Sequence, residues 1–557
     1  MFSRRAFIES AATIGVGSTL LPGILYAKAE EAEEITLETI EAAEKLAGLT
    51  LTPQEREQML AGIRDGVENR AALRQVQLQN DDVPALIFDP TISGRSAPII
   101  PSRIPITWQP GDVSRPSSDE DLAFMTVPEL SALLRSRLVS SEELTRLYLT
   151  RLKKYDGVLE CVVTLTEERA LRQARAVDLE LDAGQWRGPL HGIPWGAKDI
   201  LAVKGYPTTW GAMPFKDQTI EQEAEVVRRL DAAGAVLVAK LTTGALAMGN
   251  VWYGGSTKTP WNIEAGSGGS SAGPGSAVAA GLVGFAIGSE TSGSIVNPSE
   301  KNGVTGLRPT FGRVSRSGAM TLCWSFDKLG PMCRSATCCA LVFDAIHGSD
   351  QSDPSTLTTP FFWPPRKQPQ DLRVGYLPME RESDLAVLRV FEEAGISLRS
   401  VELPDIPVGP VFSMLGAEAA AAFDDLVRSG TDDELVRQDA GAWPNYLRTS
   451  QFIPAVTYIN ASRVRTLLMK EMRRLFDEVD VIVAPTWGGN RQTNLTGHPS
   501  VSMPNGFERL EGNPSSARRK PVSFTILGGL YQDEAVLSLA QLYQSRTRFH
   551  RQRPPIS

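Results

Sequence analysis

Histidine is scarce in this chain: only His191, His347, His498 and His550 occur among 557 residues. A serine nucleophile that relies on imidazole as its base therefore has few partners to choose from. Cysteine is nearly as rare. Cys161, Cys323, Cys333, Cys338 and Cys339 are odd in number and form no paired C-x-x-C motifs, which argues against a zinc site and a disulfide framework. Beyond the N-terminus, no run is apolar enough to cross a bilayer. Positive charge is not in excess either: 57 Lys and Arg face 65 Asp and Glu, a formal net charge of −8. That balance argues against a general nucleic-acid binder, and the basic clusters at Arg518, Arg519, Lys520 and Arg546 to Arg553 read as solvated surface. Two nucleotide signatures are also missing. The glycine- and serine-rich stretch Gly266 to Pro298 has no G-K-[S/T], and Ser271 stands where a dinucleotide fingerprint needs its third glycine. No cofactor or metal is expected.

What is present reads as an ordinary globular chain, 42% hydrophobic and 22% charged, long enough for a sizeable core. Residues 1–29 have the look of an export signal of the twin-arginine type: Ser3, Arg4, Arg5, Ala6 and Phe7, a broken apolar run from Ala11 to Tyr26, then Ala27, Lys28 and Ala29 as an A-x-A site. Cleavage after Ala29 and a periplasmic location are the expectation; a cytosolic protein with a ragged helical start is the alternative. Residues 30–119 form an acidic helical arm and linker. Helices are expected over Ile35 to Ala47 and from Pro53 to Asn80, with Thr52 capping the second, and an extended segment from Asp81 to Asp119. From residue 120 to 557, helices alternate with short apolar strands, among them Cys161 to Leu165, Gly192 to Val203 and Ala235 to Lys240, with a helix over Thr219 to Ala233. That alternation predicts α/β architecture. Residues 351–478 change character, from a Pro-rich crossing to a mostly helical stretch carrying Trp443, Tyr446, Phe452 and Tyr458. They are expected to elaborate the domain and wall a substrate pocket, with Val479 to Ala484 returning to the sheet.

Gly269 to Gly273 (GSSAG) fits the G-x-S-x-G nucleophile elbow. That reading needs a strand before the turn, and PWNIEAGSG does not look like a buried one. Lysine is the other base within reach. An ordinary lysine titrates near 10.4, so holding it neutral at pH 7 costs roughly 4.6 kcal/mol and requires burial or neighbouring donors. Lys198 follows Ile193 to Ala197 and precedes Ile200 and Leu201, a suitably apolar setting. By spacing alone it would equally be a surface lysine at a strand end. Lys240 reads as a strand-end lysine, His191 as a structural residue in a turn, and Met248, Trp252, Tyr253 and Trp324 as core or the lining of an apolar pocket.

Several blocks together resemble the amidase signature family. They are Gly188 to Asp199 (GPLHGIPWGAKD), Gly268 to Ser271 (GGSS) before a run of small residues, Glu290 to Ile295 (ETSGSI), Gly303 to Thr310 (GVTGLRPT), Phe311 to Ser315 (FGRVS), Asn494 to Pro499 (NLTGHP) and Leu527 to Gly529 (LGG). The resemblance implies one α/β domain with a central mixed β-sheet covered by helices. It implies a Ser–Ser–Lys triad in which Ser294 attacks, Ser270 relays the proton and neutral Lys198 is the base. It also implies a cis peptide between Gly269 and Ser270, an oxyanion hole made by the backbone N–H groups of Thr291, Ser292, Gly293 and Ser294, and support from Ser271 and Gly269; Asp199 reads as a supporting residue that holds the lysine loop. The N-terminal arm faintly resembles the small helical subunit that accompanies the amidase subunit of tRNA-dependent amidotransferases. The chain departs from the family pattern at Ser292 and Val296, where glycine and arginine are usual, and at Glu290, Asn297, Ala272 and Pro274. The function implied is an exported amidohydrolase that cleaves a small or peptide-like carboxamide through an acyl-enzyme; a homodimer is carried with it. The alternatives are a non-catalytic binding protein on the same fold and a glutamine-hydrolysing amidotransferase subunit.

Overall fold

Two threonines open the N-terminal helices by one device. Thr36 accepts the N–H of Thr39 ahead of α1 (Leu37–Ala47), and Thr52 accepts the N–H of Glu55 ahead of α2 (Pro53–Gln75), where Pro53 fills the first helical position. In α2 the Glu55 carboxylate returns the bond to the Thr52 N–H at 2.5 Å. Such a cap satisfies two orphan donors and contributes about 1 kcal/mol. The computed structural model describes residues 35–76, 86, 113–510 and 517–556. The expected export signal and most of the expected linker lie outside the described residues.

An eleven-stranded mixed sheet organises the rest. Its strands are β1 (Val162–Leu165), β2 (Pro194–Lys198), β3 (Val236–Leu241), β8 (Phe285–Glu290), β9 (Thr305–Arg308), β10 (Lys328–Cys333), β11 (Val374–Tyr376), β12 (Leu398–Ser400), β13 (Val481–Pro485), β14 (Ser500–Arg509) and β15 (Arg519–Gly528). Two short ribbons, β4 (Val251–Trp252) with β5 (Gly255–Ser256) and β6 (Lys258–Thr259) with β7 (Asn262–Gly266), complete the series. The order across the sheet is β1-β3-β2-β8-β10-β9-β14-β15-β13-β11-β12. β2 runs parallel to both β3 and β8, and β11 parallel to β12 and β13; the other pairs are antiparallel. β2, β3 and β8 are buried along their whole length, as expected of parallel strands covered on both faces.

Helices α3 (Ser141–Leu159), α4 (Glu167–Asp182) and α5 (Glu225–Ala232) pack on β3. Leu149, Leu152, Val236, Val238, Leu241, Val278 and Ala286 belong to one buried apolar cluster. α5 starts six residues later than the sequence pattern suggests. The backbone of the preceding residues is used otherwise: Thr219 bridges Pro207, and the Ala224 N–H donates to the Ala202 carbonyl at 2.9 Å. α6 (Ala272–Ala279, AGPGSAVA) is buried throughout, and its small residues let the backbone come close. A Cβ on Gly273 would stand 2.4 Å from the Thr242 nitrogen. α7 (Val296–Asn302) follows β8 after a five-residue turn.

The described residues fall into two compact units. One takes those of Met1–Ile87, Ile406–Asp433 and Arg437–Leu467; the other takes those of Phe88–Asp405, Glu434–Val436 and Leu468–Ser557 and contains the whole sheet. In the first unit α2, α8 (Ser413–Ala422) and α9 (Trp443–Ser450) flank a groove of about 440 Å³, with Phe412, Tyr446 and Phe452 along it. Arg448 there meets Glu55 at 2.7 Å and Asp432 at 2.8 Å. Among the described residues, no helix is long and apolar enough to cross a membrane.

Candidate active site

β2 and β8 lie side by side and parallel, with Trp195, Gly196 and Ala197 opposite Phe285, Ala286 and Ile287. That register brings the C-terminal ends of both strands together, which is where open α/β sheets place their ligands. Lys198 ends β2 and Ser289 nearly ends β8. The Lys198 Nζ stands 2.7 Å from Ser289 Oγ, 2.8 Å from Ser270 Oγ and 3.2 Å from Ser271 Oγ. Lys198 is wholly buried, and its three hydrogen-bond partners are all hydroxyls. Burial lowers its pKa to about 7; the more distant charges of Asp327 and Glu290 pull the other way.

The hydroxyls around the amine have a consistent proton assignment. Ser271 Oγ donates to the Ser289 carbonyl and accepts the Ser289 N–H, both at 3.1 Å, so it can only accept from the lysine. Gly288 makes room for it: a Cβ there would lie 2.8 Å from Ser271 Oγ. A neutral amine has two N–H groups and one lone pair. Ser271 takes one N–H group, which leaves the other N–H and the lone pair for Ser270 and Ser289, and either of these hydroxyls can hand the amine its proton. Ser270 follows the cis peptide expected between Gly269 and Ser270. The Gly269 N–H donates to Asn297 Oδ1 at 2.8 Å, so the unexpected Asn297 ties the serine turn to α7.

Ser294 is half-buried, and its carbonyl accepts the Ser271 N–H at 3.2 Å, which sets the two serine turns edge to edge. Among the described residues, its hydroxyl and the N–H groups of Thr291, Ser292, Gly293 and Ser294 have no hydrogen-bond partner. Four consecutive open amides form a concave donor set suited to an anion. The next two amides are not open. The Glu290 carboxylate accepts the Ile295 N–H at 2.8 Å and the Val296 N–H at 3.0 Å. Its other oxygen meets Arg308 at 2.7 Å and Asn494 at 2.9 Å, all of it buried. Burial would raise the Glu290 pKa, yet Arg308, Asn494 and the backbone donors outweigh it and hold the carboxyl below its ordinary value. Arg308 in turn donates to Asn490 Oδ1, Thr493 Oγ1 and the His498 carbonyl. At the other end, Thr291 Oγ1 donates to Asp327 at 2.6 Å, and Asp327 also accepts the N–H groups of Leu322 and Cys323. Burial pushes Asp327 up. A cavity of about 20 Å³, room for a single water, opens between Ser289, Thr291, Asp327 and Arg316.

Asp199 is not part of this cluster. It forms a fully buried ion pair with Lys240 at 2.7 Å and accepts the Thr209 N–H at 2.9 Å, thereby fastening the loop after β2. His191 pairs with Glu180 at 3.0 Å, and His498 Nδ1 meets Thr496 Oγ1 at 2.7 Å, so neither serves the serines. Trp252 is buried, while Trp324 is half exposed. Sequence reasoning overlooked Ser289 and Asp327. A serine next to a glutamate at the end of an otherwise apolar buried strand was the available signal for Ser289. Asp327 lies in a loop whose sequence carries none. Among the described residues, no group of three or more His, Cys, Asp or Glu is arranged to hold a metal ion.

A family model described as Amidase matches residues 143–493. Curated relatives include a glutamyl-tRNA(Gln) amidotransferase subunit from Methylococcus capsulatus, 34% identical over 490 residues, spanning 77% of this chain and 98% of that one. The corresponding protein from Moorella thermoacetica is 31% identical over 492 residues, 78% of this chain and 99% of its own. Among solved structures, native peptide amidase from Stenotrophomonas maltophilia superposes with a TM-score of 0.67 at 28% identity, covering 77% of this chain and 98% of its own.

Proposed function

The chain belongs to the amidase family, an amide-hydrolysing enzyme by that membership, and from this we propose that it is a serine amidohydrolase working through an acyl-enzyme on Ser294. The observation that carries the reading is Lys198: a buried amine ringed by hydroxyls, with a pKa of about 7 and Ser270 Oγ 2.8 Å from its nitrogen. Ser294 Oγ attacks the amide carbon. Its proton passes to Ser270 Oγ while the Ser270 proton passes to Lys198. The oxygen that gains the negative charge sits among the open amides of Thr291 to Ser294, where one such donor is worth about 3–4 kcal/mol in the transition state. The C–N bond then breaks, and the leaving amine takes a proton back through Ser270 from Lys198. Water attacks the acyl-enzyme by the same relay and restores Ser294. Labelling with a fluorophosphonate tests the assignment: the wild type takes one label and Ser294→Ala takes none, whereas equal labelling of both would remove Ser294 from its role.

A second reading has its own support, since these curated relatives are amidotransferase subunits. In that reading glutamine is the amide, and ammonia is handed on within a complex. Ammonia release from glutamine, compared with release from other carboxamides, separates the two. The twin-arginine start and the A-x-A site at Ala27 to Ala29 favour an exported, stand-alone enzyme. Recovery of the full-length chain only from the cytosol would count against export.

A further inference from the structure

Tryptophan is costly to leave in water, and seven of the nine described tryptophans are buried or half-buried. The two that are exposed, Trp324 at 50% and Trp487 at 47%, are both attached to the oxyanion turn. Trp487 lies directly on it. A Cβ on Gly293 would stand 2.7 Å from Trp487 Cζ3 and 3.1 Å from Cη2, so the benzo edge of the indole rests where Gly293, at φ 101°, has no side chain. The other end of the ring is held by Nε1, which donates to Glu300 on α7 at 3.3 Å. The indole is thus fixed at both ends and remains half open. Trp324 stands on the loop that Asp327 closes and hangs from Thr291, and its carbonyl accepts from Arg316 at 2.5 Å.

A polar group accompanies the ring. Asn490, 5% exposed, begins α10 (Asn490–Thr496) three residues after Trp487. Its Oδ1 accepts from Arg308 at 3.2 Å and from Asn494 at 3.0 Å. Arginine only donates, so the amide orientation is settled and Nδ2 must point the other way. It points toward Gly293, 3.4 Å from where a Cβ would be, and among the described residues Nδ2 has no acceptor. The residue is buried, yet Nδ2 is not among the sealed polar atoms: it opens beside the Gly293 turn, locked in orientation by its own oxygen and free to donate to a bound molecule.

We propose that Trp487 and Asn490 form a substrate subsite that selects carboxamides bearing an aromatic group and a second hydrogen-bond acceptor. The ring stacks on the indole, and the acceptor takes the Asn490 Nδ2–H. Trp487 and Asn490 are specificity residues, and the proposal rests on the reading of Ser294 as the nucleophile. Stacking on the indole puts a selectivity of roughly tenfold in reach for the ring alone.

The test uses the purified full chain and three probes: N-acetylphenylalaninamide, N-acetylalaninamide without the ring, and 3-phenylpropanamide without the second acceptor. In the wild type kcat/KM is highest for the first. Trp487→Ala lowers the ratio of the first to the second about tenfold, and Trp487→Phe keeps most of it. Asn490→Asp, which can still accept from Arg308 and Asn494, lowers the ratio of the first to the third. Ratios near one in the wild type, or unmoved by these substitutions, overturn the subsite. So does a wild type that takes the fluorophosphonate on Ser294 but cleaves none of the three. A wild type that takes no label fails at the earlier step, the assignment of the nucleophile.

Discussion

Two lysines, Lys198 and Lys240, end neighbouring parallel strands, and both are wholly buried. Lys240 has a carboxylate at 2.7 Å and also donates to the Pro207 carbonyl and to Thr208 Oγ1, each at 2.6 Å. Lys198 has three hydroxyls. Burial lowers both pKa values, but for Lys240 the charge and hydrogen bond of Asp199 work against it, whereas for Lys198 only the more distant Asp327 and Glu290 do. The same residue in the same sheet is therefore an ion-pair partner in one place and, on the proposed reading, a base in the other. The difference lies in the partner: a carboxylate stabilises the proton on the amine, while a hydroxyl can donate one to it.

The comparison breaks most visibly if each lysine is removed in turn. Lys198→Met is expected to lower kcat/KM for a carboxamide by about 10³-fold, within the range for loss of a general base, with the protein still folded by circular dichroism. Lys240→Met leaves the buried Asp199 carboxyl without its ion-pair partner, so its cost appears in urea unfolding, at about 3–5 kcal/mol. If the two outcomes were exchanged, the assignment of roles would be reversed. Ser289→Asp sharpens the contrast by giving Lys198 the kind of partner Lys240 has. An adjacent carboxylate raises a lysine pKa, so the acid limb of the pH–rate profile should move up by more than one unit and activity at pH 7 should drop about tenfold. An effect of similar size is expected in the wild type itself. Catalysis needs the neutral amine, so with a pKa of about 7 kcat/KM rises with pH through neutrality, about tenfold between pH 6 and pH 8. A flat profile over that range would show that Lys198 does not titrate in the rate-limiting step.

The mixed α/β sheet was legible because its strands are short apolar runs between amphipathic helices, as at Ala235 to Lys240. Lys198, Ser270 and Ser271 were legible because they sit in compact blocks of sequence, and the structure brings all three to one nitrogen. Ser289 was hidden because its meeting with Lys198 comes from the parallel register of β2 and β8, which no local pattern encodes. Asp199 was expected to hold the lysine loop, but the partner through which it does so was not legible. Successive residues at a strand end point to opposite sides, and it joined Lys240. Asn297, named only as a departure from the family pattern, is the residue that holds Gly269. The late start of α5 was invisible for a similar reason: the backbone before it is committed to Pro207 and Ala202.

The carboxylate of Glu290 has a consequence for the life of the chain. It fixes the turn that carries Ser294, and it is itself held by Arg308 and by Asn494, which lies 204 residues further on. A ribosome that has made Lys198 and both serines has made every group of the proposed relay, but not the clamp that orders them. The order of the turn that carries Ser294 therefore depends on the far end of the chain reaching the sheet.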